Sequence, residues 1–220
     1  MMWFTPALAA HLPALACRLE LECRVDRPVV AITFDDGPHA AGTPAVLEEL
    51  ARHGATATFF LVGEQVVQRP ALAHEIVAAG HEVAVHCFRH TLLLRRRVAA
   101  VADDLDRTVD AIGEATGVRP TLYRPPYGIL SSGALRHVRS RGWRPLLWST
   151  WGRDWERRAT PESIARRATR GLRAGDVVLL HDSDAYSSAD SWRRTVAALP
   201  SVLETVATLG IPASSVTQST

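Results

Sequence analysis

Two adjacent carboxylates, Asp35 and Asp36, close the apolar run 29–34 just before Gly37-Pro38. Paired carboxylates at the end of a buried segment are costly unless a cation or a shared proton accompanies them. Further along, His86 and His90 stand four residues apart. On a helical turn that spacing puts both imidazoles on one side, within reach of a single ion. Each motif has a bland reading when taken alone: a capping Asp beside a solvated one, two exposed histidines, a surface Arg124 before a polyproline turn. Together they describe a site of two histidines and one carboxylate, which leaves positions open for water and substrate and therefore suits hydrolysis. Arg124, in Arg124-Pro125-Pro126-Tyr127-Gly128, adds a guanidinium fork on a loop stiffened by two prolines, suited to orienting a carboxylate.

The elements that must position these groups alternate along the chain. The run into Asp35 reads as a buried strand stopped by Gly37-Pro38. A helix over 43–53 closed by Gly54, a strand over 56–62, a helix over 64–79 stopped by Gly80 and a strand over 81–85 follow. The helix over 95–116 places Val98, Val101, Ala102, Leu105, Val109 and Ile112 on one face, with Asp103, Asp104, Asp106 and Asp110 mostly elsewhere. Then come a strand over 121–123, a helix over 131–141, a strand over 143–148 and a helix opened by Thr160-Pro161. An apolar strand over 176–180, a helix over 191–209 and a terminal strand from Ile211 complete the chain. Such alternation predicts a parallel sheet, and periodicity leaves an open sheet and a (β/α) barrel equally allowed. In both, the C-terminal strand ends share one face, so Asp35-Asp36, His86, Arg124, Asp154 and His181-Asp182 are expected on a common rim.

The composition excludes other classes. The 220 residues carry a net charge of only +2, with 6% aromatic residues, so neither a basic footprint nor a stacking platform points to nucleic acid. Glycine-rich phosphate loops are missing, which weakens nucleotide-binding versions of the fold. Three cysteines, Cys17, Cys23 and Cys87, favour free thiols over a disulfide framework. The apolar stretch 1–17 lacks the positive start of a signal peptide and is too short to span a bilayer. Residues 1–28 are read as an apolar segment with a helix packed on the domain, membrane attachment being the alternative, and 29–220 as the catalytic domain. A cytoplasmic location is favoured, with envelope association as the second reading. His39 follows the Asp-Asp-Gly-Pro turn and is read as structural, and Arg95-Arg96-Arg97 as a solvated run within reach of an anionic substrate.

Thr-Phe-Asp-Asp-Gly-Pro (33–38), His-x-x-x-His (86–90), Arg-Pro-Pro-Tyr-Gly (124–128), Asp-Trp (154–155) and Leu-Leu-His-Asp (179–182) resemble the five ordered motifs of the polysaccharide deacetylase family. This is the NodB-homology domain, or carbohydrate esterase family 4. The resemblance implies a distorted, incomplete (β/α) barrel with parallel strands and a metal-dependent hydrolase that removes acetyl groups from N-acetylated sugars or glycans. It implies one divalent ion on Asp36, His86 and His90, zinc first, with cobalt or nickel as alternatives. Asp35 is then the base that takes a proton from the attacking water, oriented by Arg124. His181 is the acid that protonates the leaving amine, held in its useful protonation state by Asp154. The backbone N–H of Tyr127 serves the oxyanion, while Trp155 and Leu179 form the pocket for the acetyl methyl.

The sequence departs from the family pattern at three places. Trp151 stands where the family often has an Asp three residues before the Asp of Asp-Trp. Val85 and Cys87 flank the first metal histidine, and Ser183-Asp184-Ala185-Tyr186 replaces a common glycine-rich loop. These leave substrate identity open. Hydrolysis of a non-glycan amide or cyclic ureide is the second enzyme reading. A non-catalytic glycan-binding module is the different-class reading. A glycosidase using Asp35 and Asp154 explains neither histidine.

Overall fold

The computed structural model describes residues 21–217. Among them, β1 (Val30–Asp35) lies between β2 (Thr58–Val62) and β7 (Val177–His181). The sheet runs β5 (Arg144–Pro145), β4 (Leu122–Tyr123), β3 (Glu82–Cys87), β2, β1, β7, β6 (Thr150–Trp151), with β8 (Ala213–Ser214) added at the start of β1. The ladders between these strands are parallel. No ladder joins β5 to β6 among the described residues, so the ring stays open as a distorted, incomplete (β/α) barrel. The connection 146–149 spans this gap, Leu146 N–H donating to Tyr123 and Ser149 N–H to Val177.

Helices α1 (Gly42–Arg52), α2 (Gly63–Gln68), α3 (Pro70–Ala78), α4 (Val98–Thr116), α5 (Ser132–Ser140), α6 (Pro161–Ala168) and α7 (Ser191–Thr208) surround the sheet. Strand alternation sorts the core into layers. Ile32, Phe34, Phe59, Leu61, Val178 and Leu180 face outward and pack with Leu50, Ile76, Ile112, Leu199 and Val202 of the helices. The intervening positions Ala31, Phe60, Ala84 and Val177 fill the barrel floor with Leu122 and Leu146. Continuing that inward parity leads to Asp35 on β1, His86 on β3, and Leu179 and His181 on β7. The period of two therefore aims the strand-final polar groups at the same interior.

Several expected elements are corrected. The helix over 64–79 is two helices, because Pro70 lacks an N–H and displaces Arg69 to φ −139° and ψ 56°. The histidine pair is not on a helical turn: β3 extends to Cys87, so His86 is the next-to-last residue of a strand and His90 lies in the loop beyond. The strand over 143–148 shrinks to Arg144–Pro145, since Pro145 donates nothing to a ladder, and β6 is a separate strand. The long helix begins at Val98, after a 3₁₀ turn at Leu93–Arg95. Most of the expected N-terminal helix, with Cys17, falls in residues 1–20, outside the described ones; Glu22 and Arg24 form bridges to Leu146 and Asp176. No helix among the described residues is long and apolar enough to cross a membrane.

Candidate active site

Asp36, the first residue past β1, has φ 79°, a left-handed conformation that is uncommon outside glycine. Its Oδ1 lies 3.4 Å from His86 Nε2 and 3.3 Å from His90 Nε2. His86 Nδ1 donates to the Arg124 carbonyl at 2.8 Å, which fixes the tautomer and leaves Nε2 as the free lone pair. Burial pushes His90 down to about 4, so it is neutral, the ligating form. Burial works against charge on Asp36, yet the polar surroundings given by His86, His181 and His90 outweigh it and hold the carboxyl at about 2. Asp36 Oδ1 is buried with no hydrogen-bond partner among the described residues. A buried, unpartnered carboxylate oxygen between two imidazole nitrogens fits a divalent cation, and the three ligand atoms lie within 4.8 Å of one another.

Two dyads flank this triad. Arg124, wholly buried, donates from Nη1 to Asp35 Oδ1 at 2.7 Å and to Thr33 Oγ1 at 2.8 Å. Its Nε and Nη2 donate to the carbonyls of Leu146 and Leu147 at 3.1 and 2.8 Å, and the guanidinium stacks 4.0 Å from the Phe60 ring. The fork is immobilised by four hydrogen bonds and one ring face and holds Asp35 in one orientation. Across the cleft, His181 Nδ1 lies 2.9 Å from Asp154 Oδ1. Asp154 is itself fixed by His181 N–H and Thr195 Oγ1, each donating to Oδ2 at 2.7 Å. Burial would lower His181, but Asp154, with Asp36 and Asp35, raises it to about 10, so its Nε2 keeps a proton at neutral pH. That nitrogen sits 4.0 Å from Asp36 Oδ2.

All ten expected site residues except Arg124 and Asp154 line one cavity of about 320 Å³. Those two stand directly behind Asp35 and His181. Tyr127 contributes a left-handed residue at φ 60° and a ring edge-on to His90 at 4.6 Å. Trp155 meets His181 edge-on at 5.3 Å. Asp182 is not in the cavity. It lies under the β1 turn, where Thr43 Oγ1 donates to it and a Cβ on Gly37 would strike its carboxylate, so only glycine fits there. Burial and the charge of Asp36 push Asp182 up to about 7. His39 is structural, accepting the Gly42 N–H on Nδ1 at 2.9 Å. Cys87 is a free, buried thiol that burial pushes up, an inert filler beside His86.

Sequence reasoning missed Asp104, Thr195, Tyr186 and Trp148. Asp104 on α4 accepts Phe88 N–H at 2.7 Å, Arg89 N–H at 3.4 Å and Arg96 Nη1–H at 2.7 Å, tying down the loop that carries His90. A signal existed: Asp104 is three residues from Val101 and four from Thr108, on the buried face. It also engages Arg96, which is therefore more than part of a solvated run. Tyr186, from the loop that departs from the family pattern, stacks on His90 at 4.4 Å and donates to Glu64 Oε1 at 2.7 Å. Nothing in the sequence marks Thr195.

A sequence model of the family described as Polysaccharide deacetylase matches residues 23–146, more than half of the chain. The chain belongs to the polysaccharide deacetylase family. Among polysaccharide deacetylases it is 38% identical over 180 residues to a chitooligosaccharide deacetylase of Sinorhizobium fredii, covering 78% of this chain and 82% of that protein. It is 35% identical over 153 residues to the peptidoglycan-N-acetylglucosamine deacetylase PgdA of Listeria monocytogenes, covering 70% of this chain but 32% of that protein. The chain thus spans about a third of the latter relative's length. In three dimensions it is similar to a family 4 carbohydrate esterase from Streptomyces lividans solved in complex with acetate, with a TM-score of 0.76 and 32% identity over 86% of this chain and 92% of the other.

Proposed function

We propose that the chain is a metal-dependent deacetylase acting on an N-acetylated sugar or glycan of the chitooligosaccharide or peptidoglycan kind. The observation that carries this reading is the convergence of the Asp36–His86–His90 triad, the Asp35–Arg124 pair and the His181–Asp154 pair on one cleft. A divalent ion on the triad, zinc by the donor set with cobalt or nickel as alternatives, would polarise the acetyl carbonyl and acidify water.

The chain's own residues supply the proton transfers. Asp35, oriented by Arg124, takes a proton from the attacking water as its oxygen bonds to the acetyl carbon. The N–H of Tyr127 donates to the developing oxyanion. His181 gives its Nε2 proton to the amide nitrogen as the C–N bond breaks, releasing acetate and a free amine. Trp155 and Leu179 enclose the methyl group. Retention of base, acid and all three ligands favours this over a glycan-binding module.

Acetate release from N-acetylchitooligosaccharides, compared with a panel of small amides and cyclic ureides, tests the substrate class. Turnover of the glycans with little on the small amides is expected. Turnover confined to the small amides would move the reading to the amide hydrolase, and glycan binding without turnover would move it to the binding module.

A further inference from the structure

We propose that Trp151 is the wall that limits the acyl group accepted by the cleft to acetyl; this rests on the deacetylase reading and deepens it. β6 pairs with β7 in register, Thr150 opposite Val178 and Trp151 opposite Leu179. Neighbours paired across a sheet present their side chains to the same face. The next residue confirms which face that is. A Cβ on Gly152 would lie 2.7 Å from Leu180 Cδ2 and 2.8 Å from Ile164 Cγ2, both in the outer layer against the helices. Position 152 therefore faces outward, and position 151 faces inward beside Leu179. The indole lines the cleft together with Leu179, Trp148 and Trp155.

The indole is held in place. Its ring centroid is 5.5 Å from that of Trp148 and 5.4 Å from that of Trp155. The Arg153 guanidinium sits 5.6 Å from the ring and is paired to Glu156 at 2.7 Å. Arg153 has φ 52°, a left-handed turn that returns its side chain over Trp151. Packed on three sides, the indole is a fixed boundary rather than a lid, and a longer acyl chain entering between Trp155 and Leu179 meets it. An Asp at this position would leave that volume to solvent.

The test compares acetate, propionate and butyrate release from N-acyl chitotetraoses carrying each acyl group, using wild type, Trp151→Phe and Trp151→Ala. A single methylene in an apolar pocket discriminates by roughly tenfold or more. Wild type is expected to favour acetyl over propionyl and butyryl, Trp151→Ala to narrow that ratio by about tenfold or more, and Trp151→Phe to fall between them. Trp151→Phe keeps an aromatic ring in the layer, so the trend is readable even if Trp151→Ala folds poorly. Unchanged acyl ratios in both variants would overturn the proposal, as would a rise in KM that is equal for all three acyl groups, which would make the indole a sugar-stacking surface. Wild type that releases no acid from any of the three substrates would instead overturn the deacetylase reading, and this inference with it.

Discussion

Asp35 is the last inward position of β1, and the left-handed turn at Asp36 swings the next carboxylate toward His86 and His90. Adjacent residues thereby acquire separate surroundings: one is bound to a guanidinium, the other sits between two imidazoles. Asp35→Asn should bind a divalent ion as wild type does while turnover falls about 10²–10⁴-fold, read by metal analysis beside acetate release. His86→Ala should lose both. Full turnover in Asp35→Asn would remove Asp35 from the role of base. The opposite dyad predicts a pH effect with a definite sign. Asp154 raises His181 to about 10, so the acid stays protonated through neutral pH. Asp154→Asn should let that value fall toward the ordinary 6.5, moving the alkaline limb of the kcat/KM profile to lower pH. An unmoved limb would contradict the pairing as the source of the proton.

The short elements explain what could be read from the sequence and what could not. Strand period and turn residues made β1, β2 and β7 legible, and with them the placement of Asp35 and His181. β4, β5 and β6 are two residues each, too short for a period, so the open edge and the inward aim of Trp151 emerge only from pairing. The His86–His90 spacing pointed to the pair that the structure brings up to Asp36, but on the wrong element. A strand end followed by a loop brings them together because Asp104 clamps that loop through Phe88 and Arg89. Asp104→Asn keeps an acceptor but loses the charge that engages Arg96. Loss of such outer support typically weakens metal binding about 10–100-fold. Titration of chelated Asp104→Asn with zinc should show weakening of that order with the ligands intact, whereas affinity equal to wild type would reduce Asp104 to a packing role.

At the scale of the molecule, the open barrel concentrates charge on its rim while the opposite end is sealed by apolar side chains and buried polar groups. Among these, His81 accepts the Ala57 N–H on Nδ1 at 3.2 Å and meets Phe59 edge-on, and burial lowers it to about 4. Folding therefore favours its neutral form. Its contribution is complete above the ordinary 6.5 and is lost as pH falls from there through about 4, worth on the order of 3 kcal/mol in full. His81→Asn, which retains an acceptor without the basic ring, should flatten the decline of unfolding free energy across that window; an identical decline would place the acid sensitivity elsewhere. At the other end of the barrel, seven side chains converge on the site proposed to cleave an acetyl amide with one metal ion. The most direct test is to strip the protein with a chelator, restore zinc in increments, and follow acetate release from N-acetylchitotetraose. No turnover is expected without metal, with full recovery at one ion per chain; undiminished turnover by the metal-free protein would overturn the metal-dependent deacetylase reading.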